Sequence, residues 1–256
     1  MTDTLYRAIS SEKYKLAKNK EIFGILLIPV ALIVLIDGYL IYEANKSGFI
    51  DSATNPWKIL LGRYVFQFFQ LLYPILVAIF VHACCDIEYK NNNYKILFTI
   101  PLSKTKIFFS KALFVLFIVL LSVILSYLAF LASGYLLSLM YPKIGFQNYD
   151  YREVIFCTFL KLVITLTAVS MIQLSLSLAF KNFIYPIGFC VFMTVFSIMV
   201  AQKKFSDFIP YKGAYNSFAN IMSENSSFER LDYSNIAMTI LFLSVSFFLF
   251  RQKKVA

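Results

Sequence analysis

Between residues 107 and 140 the chain carries a single charged side chain, Lys111. As a helix rising 1.5 Å per residue, such a run would extend about 51 Å, against a hydrocarbon layer of about 30 Å. A run this long and apolar cannot turn a polar face to water. Inside a bilayer every backbone N–H and C=O must be paired within the segment, and that leaves the helix. The length also demands that the helix tilt, project beyond the bilayer or break. Gly134 is the expected weak point.

Five further apolar runs follow the same logic: 22–42 with Pro29, 65–84 with Pro74, 154–180 with Lys161, 183–201 with Pro186, and 235–250. Proline is tolerated in membrane helices because neighbouring groups re-satisfy the freed carbonyl. Composition agrees: 59% of the 256 residues are hydrophobic and 15% charged, against about 25% charged in a typical soluble domain. The expectation is an all-α polytopic membrane protein with six transmembrane helices in a single domain over residues 22–250. Residues 1–21 read as a cytoplasmic amphipathic helix lying in the membrane interface. Leu5, Ile9 and Leu16 lie near one face of it, with Arg7, Lys13, Lys15, Lys18 and Lys20 supplying charge; a disordered basic tail is the alternative. Residues 251–256 form a basic cytoplasmic tail. Loop 43–64 contains the single tryptophan, Trp57, as an interfacial anchor, and 202–234 is a longer outer loop.

Orientation follows from the basic residues. With the N-terminus inside, fourteen Lys and Arg fall on inner segments and nine on longer outer loops. That asymmetry favours cytoplasmic termini and a place in the cell membrane. The net charge of +10 is then lysine retained beside anionic headgroups, and no nucleic-acid motif accompanies it. No cleavable signal peptide is expected, since the first apolar run is long and follows a charged segment.

The chemistry that is missing narrows the function. One histidine, His82, excludes paired-histidine metal motifs. The eight glycines never fall in the spacing of a phosphate-binding loop, and no nucleophile elbow is present. His82, Cys84, Cys85 and Asp86 are close in sequence but diverge around a helix, so no metal site is expected. The four cysteines read as small hydrophobes. Lys161 is an intramembrane charge, costing about 2.5–3.5 kcal/mol at a span centre. Either it snorkels to the outer interface, or it pairs with Asp37 or lines the outer end of a pathway. The chain is therefore not expected to be an enzyme or to bind a cofactor itself.

The stretch 80–111 stands apart. It leaves one apolar run through Asp86, Glu88, Tyr89 and Lys90, crosses a polar loop (85–106) containing Tyr94 and Lys95, and enters the next run at Pro101-Leu102-Ser103-Lys104. Ser103 is a favourable N-cap for the long helix that follows.

With Glu12, Lys13, Lys15, Leu16 and Lys18 ahead of the first span, the proline-bearing second span, Glu88, Tyr94-Lys95, Pro101-Leu102-Ser103, Lys111 and Ile209-Pro210, the chain resembles permease subunits of ABC transporters of the ABC-2 type over essentially its whole length. Tyr94 stands where that family often has Trp. The resemblance implies that residues 85–106 and the N-terminal helix dock on a separate cytoplasmic ATPase subunit, which holds ATP and Mg. Residues 87–97 would form the coupling helix. It implies pairing with a second permease copy or a paralogue, in the lipid bilayer and without nucleic acid. Within the family the chain looks most like bacteriocin or lantibiotic self-immunity permeases, which expel membrane-active peptides. The rival class is a passive channel or secondary transporter without an ATPase. An inverted-repeat carrier gains no support, because no internal repeat is evident.

Overall fold

A computed structural model describes residues 20–47, 55–89, 103–224 and 226–252, and all their regular elements are helical. In chain order these are α1 (Lys20–Ser47), a short α2 (Pro56–Lys58), a π-helical segment (Ile59–Phe66), α3 (Gln67–Tyr89), α4 (Lys104–Met140), α5 (Arg152–Ala179), α6 (Ile184–Met199), α7 (Gly213–Ser223) and α8 (Arg230–Gln252). Glu12, Lys13, Lys15 and Lys18 of the expected interfacial helix lie outside the described residues. So do Lys90, Tyr94, Lys95 and Pro101 of the loop, and the tail from 253.

Five described helical stretches are long and apolar enough to cross a membrane: Leu26–Glu43, Pro56–Asp86, Lys104–Met140, Arg152–Ala179 and Arg230–Gln252. The run expected at 183–201 forms a helix of only 16 residues, about 24 Å long. Two boundaries also move. The loop expected at 43–64 is shorter, since α1 continues to Ser47 and helix resumes at Pro56. Asn55 caps that restart, its Oδ1 accepting from Trp57 N at 3.0 Å, with Pro56 in the first turn, where a missing N–H costs nothing.

α5 is the central helix. It packs against α3, α4, α7 and α8, and most of its length is buried. Its small and hydroxyl-bearing residues, among them Thr165, Ala168, Ser170 and Ser177, are buried and let neighbouring backbones come close. α4 is two-faced. Ser122, Ser126 and Ser133 are buried on one side, while Phe117, Leu120, Ile124 and Leu128 are exposed on the other. The serine face meets α3, where the Tyr73 hydroxyl lies 3.0 Å from both Ser122 Oγ and Ser126 Oγ. Burial of that phenol is acceptable only because it is hydrogen-bonded.

Gly134 does not break α4, which is continuous over 37 residues. It admits Trp57: a Cβ at Gly134 would lie 2.1 Å from Trp57 Cζ3 and 2.2 Å from Cη2. The indole is correspondingly packed against the bundle. It meets Phe146 edge-on at 5.0 Å, lies 6.0 Å from Phe130, and donates its Nε1–H to Phe146 O at 2.9 Å.

The segment expected as an outer loop, 202–234, folds back among the helices. Tyr211 is 1% exposed, its hydroxyl accepts from Gln173 Nε2 at 2.7 Å, and its ring lies 6.3 Å from Phe189. Gly213 lies so close to α5 that a Cβ there would sit 2.0 Å from Thr165 Oγ1. Thr165 is about 20 Å along α5 from its Arg152 end. From there α7 runs back antiparallel to α5 until Tyr151 Oη donates to Ile221 O at 2.7 Å. Residues 204–223 are thus a re-entrant hairpin. Such irregular backbone is tolerated at depth only where protein surrounds it. A half-buried ion pair fixes its turn, with Lys212 Nζ 2.7 Å from Asp207 Oδ1 and 2.8 Å from Ser206 Oγ.

Candidate functional site

The polar loop 90–102 is flanked by the end of α3 and the start of α4, and the described residues show how those two ends are joined. Asp86 is half-buried near the end of α3, and Glu88 and Tyr89 fall on its last turn. Lys111, two turns into α4, is 1% exposed and donates from Nζ to Cys84 O at 3.0 Å. A buried ammonium is costly unless it is hydrogen-bonded. The carbonyl end of a helix is where a cation is most favourably placed. Lys111 therefore ties the second turn of α4 to the last two turns of α3.

The same end of the bundle holds two further contacts. Phe108 of α4 packs against Phe247 at 5.4 Å and Phe250 at 5.8 Å, both on α8. His82 of α3 faces Phe183, just before α6, at 6.5 Å. Displacement of α4 at its first turns would be felt directly by α3 and α8. Ser103 starts α4 with extended backbone, and its carbonyl accepts from Lys106 N and Ile107 N at 3.0 and 3.2 Å. Its side chain makes no capping bond, so the hydroxyl cap expected from the sequence is not formed.

Asp37 and Lys161 each have a separate partner. Asp37 accepts from Ser133 Oγ. Lys161 is 3% exposed and donates from Nζ to Ser227 O at 2.6 Å, with Asp232 close enough to act on it electrostatically. Lys161 therefore pins the segment that leads into α8. Its partner is a backbone carbonyl, which no side-chain pattern announces.

The thiols of Cys84, Cys85 and Cys190 are buried and that of Cys157 is half-buried. Cys190 Sγ donates to Pro74 O at 3.3 Å, which seats α6 against the proline-bearing stretch of α3. Among the described residues no three His, Cys, Asp or Glu side chains are grouped as metal ligands. The residues that sequence reasoning missed are Trp57 with Gly134, and Tyr211 with Gln173. The only advance signals were a lone tryptophan and a glycine and a proline in a polar segment.

No curated protein and no solved structure matches the chain. The family model described as ABC-2 family transporter protein matches residues 8–197, well over half of the chain. It takes in α1 to α5 and most of α6, including the ends of α3 and α4 that flank the polar loop. The chain belongs to the ABC-2 family of transporter proteins.

Proposed function

We propose that this chain is the transmembrane permease subunit of an ATP-driven exporter. Loop 85–106 takes force from a separate cytoplasmic ATPase subunit that holds ATP and Mg, and the chain itself hydrolyses nothing. The carrying observation is the junction on either side of that loop, where Lys111 bonds Cys84 O and Phe108 packs on Phe247 and Phe250. A push on a loop joined in this way moves three helices together. A passive channel would have no need of it.

In this reading the chain crosses the cell membrane six times, with both termini cytoplasmic. α6 is the short crossing. It runs antiparallel to α3, from Phe183 beside His82 to Cys190 beside Pro74, and the re-entrant hairpin fills the space beyond it. Residues 1–21, with Glu12, Lys13, Lys15 and Lys18, form an interfacial helix against the ATPase. A second permease, identical or paralogous, completes the pathway. The cargo is an amphipathic molecule, and by likeness to self-immunity permeases a membrane-active peptide. Asp86, Glu88, Tyr89, Lys90, Tyr94, Lys95 and Pro101 carry the coupling. The double substitution Glu88→Lys with Tyr94→Ala is expected to abolish stimulation of the ATPase by the permease while the chain still reaches the membrane. Normal stimulation and transport in that variant would refute the role of the loop.

A further inference from the structure

At the end of α4 remote from Lys111 there is a half-open cleft of about 500 Å³. This is within the usual range for small-molecule sites. Trp57, Tyr135, Phe146 and Tyr149 form aromatic walls, and Asp150 and Arg152 supply opposite charges at its rim. Tyr135 is 64% exposed and both charged residues are exposed. Among the described residues neither Asp150 nor Arg152 is in an ion pair, and the Asp150 carboxylate is met only by Arg152 N at 3.4 Å. We propose that this cleft binds the zwitterionic headgroup of a membrane phospholipid, with its ammonium among the aromatic rings beside Asp150 and its phosphate on Arg152.

Three observations lead to that ligand. Aromatic faces attract an alkylammonium, and a carboxylate at the same rim adds to the attraction while opposing a purely anionic head. A guanidinium is the side chain best matched to phosphate. The third observation selects a lipid over a soluble molecule. Leu131 and Tyr135 of the cleft wall lie on the same helical face as the exposed Leu128, Ile124, Leu120 and Phe117. That apolar stripe continues from the cleft for about 20 Å along α4, somewhat more than the half-thickness of a ~30 Å hydrocarbon layer. The head has a cleft and the tails have a track. The site stands independently of the transport reading, since it requires only that α4 lie in a bilayer.

Trp57 is the only tryptophan in the chain, so its emission reports on the cleft. The purified full chain in detergent is titrated with phosphatidylethanolamine or phosphatidylcholine, with anionic phosphatidylglycerol, and with tail-less glycerophosphoethanolamine. Trp57 emission and bound lipid by native mass spectrometry are followed together. Zwitterionic lipid is expected to bind roughly fivefold to tenfold more tightly than phosphatidylglycerol and to shift the emission, with the tail-less headgroup far weaker. That preference is lost in Asp150→Asn with Arg152→Gln and reduced in Tyr149→Ala. These three side chains are exposed, so the variants keep the wild-type unfolding midpoint. Equal binding of zwitterionic and anionic lipid overturns the proposal, as does a preference that survives the Asp150/Arg152 double variant. Saturation by the tail-less headgroup at lipid-like concentration overturns the lipid as source. Should either variant fail to fold, the wild-type comparison among the three ligands still decides.

Discussion

Gly134→Ala is the sharpest test of how the end of the bundle remote from Lys111 is packed. A methyl group at this position would lie 2.1 Å from Trp57 Cζ3 and 2.2 Å from Cη2, where ordinary carbon contacts are about 3.5–4.0 Å. The ring must move by more than 1 Å, and it is not free to do so. Its Nε1–H is committed to Phe146 O at 2.9 Å, and its faces and edges meet Phe130 and Phe146. Overpacking of this kind costs about 1–3 kcal/mol. Loss of the indole hydrogen bond adds about 1 kcal/mol and disturbance of the edge-on ring contact about 0.5 kcal/mol or more. A total near 3 kcal/mol, in a chain of this size, lowers the unfolding midpoint by roughly 6–12 °C. The assay is intrinsic fluorescence, because Trp57 is the sole tryptophan. Gly134→Ala should red-shift its emission and lower the thermal midpoint. With Trp57→Leu already present, the same substitution should cost less than about 1 kcal/mol, since the clash is gone. A wild-type spectrum and midpoint for Gly134→Ala would refute the close approach, and equal costs in the two backgrounds would refute its assignment to Trp57.

Other perturbations probe the remaining joints. Lys111→Met removes the donor to Cys84 O but keeps the length of the side chain, and is expected to lower permease-stimulated ATP hydrolysis severalfold with insertion unchanged; assaying membrane content beside ATPase rate separates the two. Gly213→Val places carbon within 2.0 Å of Thr165 Oγ1 and should expel the re-entrant hairpin, making residues 204–223 accessible to protease in intact vesicles; continued protection would contradict the hairpin. Burial pushes the Tyr151 phenol up to about 12 from its ordinary value near 10. The unfolded chain therefore loses that proton first as pH rises, so the stability this group contributes is fully present below about pH 10 and is lost between about 10 and 12. Tyr151→Phe should flatten that alkaline limb in unfolding midpoints measured across pH 9–12, and an unchanged limb would contradict the assignment.

Most of the long helices were legible because a long uncharged run leaves the backbone one option. The same reasoning misjudged residues whose roles depend on distant partners. Gly134 looks like a weak point within an apolar run, yet the reason for a glycine there is a ring 77 positions earlier. The segment 202–234, with Pro210 and Gly213, reads as a longer outer loop. Part of it is instead held against the bundle, with Tyr211 bonded to Gln173 and Lys212 to Asp207. Lys161 was recognisable as an anomaly, but its partner is the carbonyl of Ser227. Lys111 was recognisable as the one charge in a long apolar run, and only the fold shows that it reaches Cys84 O. Residues 183–201 illustrate a limit of hydropathy, since the apolar run is longer than the 16-residue helix it forms.

The central claim is that this chain works on energy delivered by another protein. It is tested most directly by extracting the chain from its native membrane in mild detergent and measuring both the co-purifying proteins and the ATP hydrolysis of the complex. The account predicts a stoichiometric ATPase subunit, hydrolysis that follows that subunit and not the permease, and loss of the permease's stimulation in Glu88→Lys with Tyr94→Ala. A chain that purifies without an ATPase and mediates flux in vesicles without ATP would contradict it.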